Sequence, residues 1–174
     1  MKRTLIGGIG NVLLGDDGIG PYVARLLDAE YEFPDEVRVE DLGTPGLDLI
    51  AHFCDADSII LVDCVDDGKE PGTITVFDRT DILNQPSAPR LDPHSPALSE
   101  SLRIAEMCSD ATRKLYLVGV TAASFDSETI LTSAVADAVP RVIDQVLGLA
   151  ASLGHPARRR RVARQPDFWW AGKA

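Results

Sequence analysis

The sequence predicts a three-layer α/β/α domain with a mixed, mostly parallel five-stranded sheet whose fourth strand is antiparallel. Three observations support this class. Short apolar strand patterns alternate with segments of helical period along the chain. The run SIILVDCV, residues 58–65, is almost continuously apolar, as expected of a central strand covered on both faces. The link DDGKEPG, residues 66–72, is too short for the crossover of about a dozen residues that a parallel neighbour requires.

The N-terminal half of the chain supplies the first two strands and two helices. RTLIGGI, residues 3–9, predicts a buried strand, and PYVARLLDAEYEF predicts a helix with Pro21 at its first position. EVRVEDLG, residues 36–43, alternates and predicts the second strand. In TPGLDLIAHFCDAD, Thr44 is expected to cap a helix whose first residue is Pro45.

The C-terminal half completes the sheet. TITVFD, residues 73–78, is the strand predicted to run antiparallel, and KLYLVGVTA, residues 114–122, is another buried strand. Residues 79–96 predict a long proline-rich loop. ALSESLRIAEMC predicts a helix, and residues 133–154 predict a long last helix that Pro140 kinks or breaks.

Charge divides the chain into two parts, which we take as a single domain over residues 1–154 and a basic, flexible tail over residues 155–174. The tail carries six Lys or Arg residues and one acid, so the preceding part has 11 bases and 26 acids. Such an acidic body argues against nucleic acid as the principal partner. No apolar run reaches the ~20 residues of a membrane span, and the N-terminus lacks the apolar region of a signal peptide. A cytoplasmic protein is therefore expected.

The glycine-rich stretch GGIGNVLLGDDGIGP, residues 7–21, is the first candidate site. It lacks the third glycine of a dinucleotide fingerprint and the lysine of a phosphate-binding loop. Asp16 and Asp17 would repel phosphate at a helix N-terminus. Two interpretations remain: one of the aspartates caps the helix, or the turn brings acids to a cation.

Asp63 and His94 complete a possible metal site. Asp63 interrupts an apolar strand and lies near its carboxyl end, where open α/β sheets bind ligands. His94 lies in the long loop and could reach the same edge of the sheet. Two carboxylates and one imidazole suit a divalent ion such as Ni²⁺ or Zn²⁺. Strand alternation predicts that Cys64 points to the face opposite Asp63, which argues against a cysteine nucleophile.

The motifs GIGNVLLGDDGIGP, SIILVDCV, PGTITVF and LYLVGV, with His94 before the last of them, resemble those of the hydrogenase maturation endopeptidases. The resemblance covers roughly residues 4–150. It implies a three-layer fold with an antiparallel fourth strand. It also implies an endopeptidase that removes a C-terminal extension from the large-subunit precursor of a nickel–iron hydrogenase after nickel insertion.

The resemblance also implies roles for individual residues. Asp17, Asp63 and His94 match the metal-contacting positions and would engage the nickel of the precursor, although other divalent cations could occupy the site. Asp16 would shape the loop, and Asp41 matches an acidic position that would assist recognition or chemistry. Either a metal-polarised water or a carboxylate general base could carry out the cleavage.

Two other functions remain compatible with the sequence. One is a non-catalytic chaperone that senses nickel in the precursor, and the other is a nucleotide or nucleoside enzyme on a similar scaffold. The expected partner is the precursor, and the expected oligomeric state is a monomer.

Overall fold

A computed structural model describes residues 3–84, 98–108 and 114–170 of the chain. The strands in these residues are β1 (Thr4–Ile9), β2 (Tyr31–Glu32), β3 (Val37–Gly43), β4 (Ser58–Val65), β5 (Ile74–Asp78), β6 (Lys114–Thr121) and β7 (Arg158–Arg159). The helices are α1 (Ile19–Glu30), α2 (Leu49–Asp55), α3 (Arg79–Asn84), α4 (Leu98–Cys108), α5 (Ser133–Ala136) and α6 (Val139–Ser152). None of these helices has the length and hydropathy that a membrane span needs.

Five strands form one sheet in the order β3-β1-β4-β6-β5. The pairs β1–β3, β1–β4 and β4–β6 are parallel, whereas β5 runs antiparallel to β6, with Ile74 opposite Val120. The predicted sheet, including its reversed fourth strand, is therefore confirmed. The short link before β5 leaves the chain no room for a crossover, so it turns back along the edge of the sheet.

Helices cover both faces of the sheet, which confirms the three layers. On one face, α1, α5 and α6 pack over side chains such as Ile60 and Val118. On the other face, α2, α3 and α4 pack over side chains such as Ile59 and Leu117. Alternate residues of β4 thus enter opposite cores, as the strand period requires.

The first turn of α1 lies directly against the ends of two strands. A β-carbon at Gly20 would lie 2.1 Å from the carbonyl oxygen of Ile9 and 2.4 Å from that of Val62. A β-carbon at Gly8 would in turn lie 2.1 Å from the carbonyl oxygen of Gly20. Helix and sheet can approach this closely only because neither glycine carries a side chain.

Two helix starts and one predicted loop differ from the sequence-based expectation. The predicted start of the second helix at Pro45 is wrong, because Gly46 adopts a φ of +53° and a 3₁₀ turn precedes α2. The first helix begins at Ile19, two residues before Pro21. Residues 79–84 form α3 within the predicted loop. The expected break near Pro140 is confirmed, since α5 ends at Ala136 and α6 begins with Pro140 in its first turn.

Residues 158–170, the C-terminal strap, lie against α1 and β2. The strap contributes β7, which pairs antiparallel with β2, and the N–H of Arg160 donates to the carbonyl of Glu30 at 2.7 Å. Further along, the ring of Phe168 stacks on Tyr22 with centroids 4.6 Å apart and planes 2° apart. The strap therefore runs back along α1 toward its first turns. The sequence pattern does not anticipate these contacts.

We expect Gly20→Ala to destabilise the protein, because the new β-carbon would overlap two backbone oxygens that cannot move without shifting β1 or β4. The free energy of unfolding should fall by about 1–3 kcal/mol or more, the usual cost of overpacking. Urea unfolding followed by circular dichroism measures this change.

Gly148→Ala provides the matched control. Gly148 lies inside α6, and a β-carbon there would meet no atom within 4 Å. Its replacement should raise the free energy of unfolding by about 0.5–1 kcal/mol through helix propensity and backbone entropy. Equal effects of the two substitutions would contradict the close packing described for Gly20.

Candidate functional site

The candidate site lies at the carboxyl edge of the sheet between β1 and β4. From β1 the chain crosses to β3 on one side, and it then returns to β4 on the other side. The order of strands therefore reverses between β1 and β4. In open α/β sheets, ligands bind at the carboxyl ends of the strands at such a point.

Asp17 reaches this edge from the 3₁₀ turn Gly15–Gly18, which connects β1 to α1. Its side chain is half-buried. One carboxylate oxygen, Oδ2, accepts a hydrogen bond from the N–H of Asn11 at 2.7 Å. The other oxygen, Oδ1, faces the end of β4. The loop thus fixes the orientation of Asp17 through its own backbone.

Asp63 lies at the end of β4, immediately after the residue that Gly20 contacts. Its Oδ1 accepts the N–H of Cys64 at 2.8 Å. Burial raises the pKa of Asp63 well above its ordinary value, the nearby Asp17 carboxylate raises it further, and the hydrogen bond from Cys64 opposes them. A proton is consequently held at this site at a pH where an exposed aspartate would be charged.

The expected alternation places Cys64 on the face opposite Asp63, yet Cys64 still belongs to the site. Alternation does hold along β4, and the Cys64 side chain packs against the core under α1. However, its thiol also donates to Asp17 Oδ1, with Sγ 3.1 Å from the oxygen. The turn that carries Asp17 lies across the end of β4. Side chains from either face of this strand can therefore reach Asp17.

The thiol of Cys64 is not prepared to act as a nucleophile. Burial raises its pKa, and the neighbouring carboxylates of Asp63 and Asp17 raise it further. A covalent mechanism requires the thiolate, which this environment disfavours.

Asp17, Asp63 and Cys64 each offer one ligand atom, and these three atoms lie within 4.8 Å of one another. Two of the predicted ligands, Asp17 and Asp63, are therefore brought together as expected. His94, the third predicted ligand, lies outside the described residues. Cys64 is the residue that the sequence reasoning missed, although its position directly after Asp63 was a signal.

Asp16 has a different role from its neighbour. It is fully buried, and its carboxylate accepts four hydrogen bonds from the segment after β6. The donors are the N–H groups of Ala123, Ser124 and Thr132 and the hydroxyl of Thr132, at 2.7–3.2 Å. Asp16 thereby ties the turn that carries Asp17 to the segment that follows β6. The expectation that it shapes the loop is confirmed.

Asp41 lies near the end of β3, on the other side of β1. Its Oδ2 accepts two hydrogen bonds from the guanidinium of Arg25 at 3.0 and 3.2 Å, and its Oδ1 accepts the N–H of Gly43. Arg25 also lies 3.8 Å from a carboxylate oxygen of Asp167 in the C-terminal strap. Asp41 therefore connects β3 to α1, and through Arg25 to the strap.

Comparison with protein families matches residues 21–149 to the model of the family described as hydrogenase maturation protease. The matched range contains Asp63 and His94, whereas Asp17 precedes it.

Individual proteins show the same similarity. The chain is 30% identical over 153 residues to the hydrogenase 2 maturation protease of Escherichia coli, covering 87% of this chain and 93% of that protein. It is 38% identical over 124 residues to the hydrogenase expression/formation protein HupM of Azotobacter chroococcum, covering 71% of this chain. That alignment spans 59% of HupM, and an alignment with HoxM of Azotobacter vinelandii spans 57% of HoxM. The chain thus spans less than two thirds of those two relatives.

A solved structure has the same fold. The hydrogenase maturating endopeptidase HybD from E. coli superposes with a TM-score of 0.82 at 28% identity. The superposition covers 91% of this chain and 98% of that one.

We expect Asp63→Asn to stabilise the protein increasingly as pH rises. The pKa of Asp63 is raised in the folded state above its ordinary value of 3.8. At a pH between the ordinary and the raised pKa, Asp63 has lost its proton in the unfolded chain but keeps it in the folded chain. The free energy of unfolding of the wild type therefore falls as the pH rises through this range. Asparagine keeps the hydrogen bond from Cys64 but carries no such proton.

Each unit by which the pKa is raised corresponds to about 1.4 kcal/mol, or roughly 3–6 °C in the unfolding midpoint of a chain of this size. Thermal unfolding from about pH 4 to about pH 8 should show a gap between variant and wild type that widens with pH and then levels off above the raised pKa. A gap that does not change with pH would contradict this prediction.

Asp16→Asn should have the opposite effect. The amide can accept through only one of its two polar atoms, so N–H donors that now point at carboxylate oxygens would face an NH₂ group. We expect a loss of about 2 kcal/mol or more in the free energy of unfolding. Chemical denaturation at neutral pH measures it, and a variant as stable as the wild type would show that Asp16 does not anchor the turn.

Proposed function

This chain belongs to the hydrogenase maturation protease family, and we propose that it is an endopeptidase that cleaves the large-subunit precursor of a nickel–iron hydrogenase. The bond cut would release the C-terminal extension of the precursor after nickel has been inserted. The similarity to the E. coli hydrogenase 2 maturation protease and to the HybD endopeptidase supports this activity, because the sequence alignment and the superposition each cover nearly the whole of the relative.

We further propose that Asp17, Asp63 and His94 contact the nickel already held by the precursor. The observation that carries this step is the convergence of Asp17 and Asp63 at the strand-order reversal between β1 and β4. Two half-buried carboxylates that face each other raise each other's energy unless a proton or a cation lies between them. An imidazole from the loop that contains His94 would complete a donor set that suits Ni²⁺.

Such a site would act as a checkpoint on the precursor. A precursor loaded with nickel brings a cation to the acidic pair, and that interaction adds to whatever affinity the peptide itself has. A precursor without nickel leaves the carboxylates with nothing to neutralise them. Cleavage would therefore follow metal insertion rather than precede it.

Hydrolysis of the peptide bond requires a water molecule that loses a proton as it attacks the carbonyl carbon. A carboxylate of the pair can take this proton as a general base, and the nickel of the precursor can polarise the attacked carbonyl or the water. Asp41 would assist from β3 by holding α1 through Arg25, so that the turn carrying Asp17 keeps its position. We place the reaction in the cytoplasm and assign the enzyme a monomeric state.

The test is a cleavage assay with precursor prepared with and without nickel, read by mass spectrometry of the precursor. Wild-type protein should shorten only the nickel-loaded form. Asp17→Asn, Asp63→Asn and His94→Ala should each reduce the rate at least about a hundredfold, the usual scale for loss of a group that acts in the transition state.

Asp144→Asn is the matched control, because it makes the same change at an exposed carboxylate of α6. It should cleave at the wild-type rate. Each variant is first checked for folding by circular dichroism. Binding of the precursor without any shortening by wild-type protein would instead indicate a chaperone, and full activity of the three site variants would refute the proposed site.

A further inference from the structure

Cys64 lies in the candidate site without a role in the proposed reaction. Its Sγ lies 3.1 Å from Asp17 Oδ1, and its backbone N–H donates to Asp63 Oδ1 at 2.8 Å. The residue thus touches both carboxylates of the acidic pair, one through its side chain and one through its backbone. A cysteine that only filled space in the core would not need to place its sulfur beside the Asp17 carboxylate at the carboxyl edge of the sheet.

The positions of the three ligand atoms fit a single ion. Carboxylate oxygens bind Zn²⁺ at about 2.0–2.2 Å and thiolates at about 2.3 Å, so ligand atoms around one tetrahedral ion are roughly 3.5 Å apart. The atoms of Asp17, Asp63 and Cys64 lie within 4.8 Å of one another. They would need to approach by up to about 1.3 Å, which side-chain rotation can supply.

The charges around the thiol also favour a cation. The carboxylates of Asp17 and Asp63 each have an oxygen within 4.8 Å of the thiol sulfur. Neither Asp17 nor Asp63 forms an ion pair with a lysine or arginine in the described parts of the chain. In the present arrangement the thiol donates a hydrogen bond to Asp17 Oδ1, with Sγ 3.1 Å from that oxygen.

We propose that Cys64 is a metal ligand, which adds a thiolate to the carboxylates of Asp17 and Asp63 when an ion occupies this site. This proposal rests on one part of the proposed function, namely that Asp17 and Asp63 face a metal ion. It does not depend on cleavage of the precursor. On binding, the ion takes the place of the thiol proton, which leaves to solvent, and the metal–sulfur bond replaces the S–H bond. No electrons are transferred in this exchange.

A thiolate changes which ions the site prefers. Carboxylates alone suit hard ions such as Mg²⁺ and Ca²⁺, whereas a sulfur donor favours borderline and soft ions such as Ni²⁺, Zn²⁺ and Cd²⁺. Cys64 would therefore make the acidic pair discriminate against the hard divalent cations that are abundant in cells. The same sulfur would bind the ion presented by a metal-loaded precursor.

The experiment uses the full chain and ions alone, without precursor. Titration with Co²⁺ and with Cd²⁺ is followed by the sulfur-to-metal charge-transfer absorption, which only a thiolate ligand produces. The chain has three cysteines, so Cys54→Ser/Cys108→Ser leaves Cys64 as the only thiol. We expect this double variant to develop the absorption with one ion per chain, and the same variant with Cys64→Ser added to lose it.

Affinity gives a second readout. Cys64→Ser keeps a hydrogen-bond donor to Asp17 but replaces a soft donor by a hard one, so Cd²⁺ should bind at least about tenfold more weakly while Mg²⁺ binding stays unchanged. Asp17→Asn in the double-variant background should also weaken Cd²⁺ binding, because the carboxylate and the thiolate share the ion.

If ions bind to the double variant without charge-transfer absorption, or if Cys64→Ser binds Cd²⁺ as tightly as wild type, Cys64 is not a ligand. Failure of all ions to bind would also overturn the proposal. None of these three results bears on cleavage, which is measured separately on the nickel-loaded precursor, so the ligand role and the proteolytic function can fail independently.

Discussion

The site depends on a contact between backbones, because the first turn of α1 lies directly on the carboxyl ends of β1 and β4. Gly8 and Gly20 permit this contact, and the residue whose carbonyl faces Gly20 is Val62, immediately before Asp63. Asp17 is three residues before Gly20, so the same contact brings its carboxylate to the end of β4. In a nucleotide-binding loop, glycines leave room for a phosphate at this point of the fold. Here the glycines leave room for the helix itself, and the aspartate that precedes the helix takes the position next to the strand.

Two adjacent aspartates in this turn have opposite energetic roles. The carboxylate of Asp16 is buried but receives four hydrogen bonds, so its burial costs little and it fixes the turn. Asp17 is oriented by one backbone N–H and faces Asp63, whose pKa is raised by burial and by this neighbour. The first aspartate stabilises the fold, and the second is part of an arrangement that destabilises it. Arrangements of the second kind are retained where function requires them, and pKa perturbation of this origin is characteristic of such sites.

The sequence predicted what short-range rules determine. The continuous apolar run of β4 and the short link before β5 were sufficient for the layers and for the reversed strand. Asp63 was identifiable because burying a carboxylate in an apolar strand costs free energy, so such a residue indicates a functional site. Cys64 was missed because alternation describes a strand inside a sheet, whereas at the strand end a turn from elsewhere in the chain can meet both faces. The C-terminal strap was missed for a related reason: the stacking of Phe168 on Tyr22 joins residues far apart in sequence, and no local pattern encodes it.

The acidic residues of this chain differ in where their counter-charge comes from. Asp41 has Arg25, Asp67 has Lys69, and Glu32 has Arg158, each within the chain. For Asp17 and Asp63 the described residues supply no such cation, and their neighbours are a thiol and each other. An acidic pair without an internal cation binds either protons or an external ion, and protons satisfy it only as long as the pH and burial allow. A partner that carries its own metal ion would then be recognised by its charge at this one point of the surface, whatever the sequence of the peptide around it. That is the property required of an enzyme that must distinguish a metal-loaded precursor from the same polypeptide without metal.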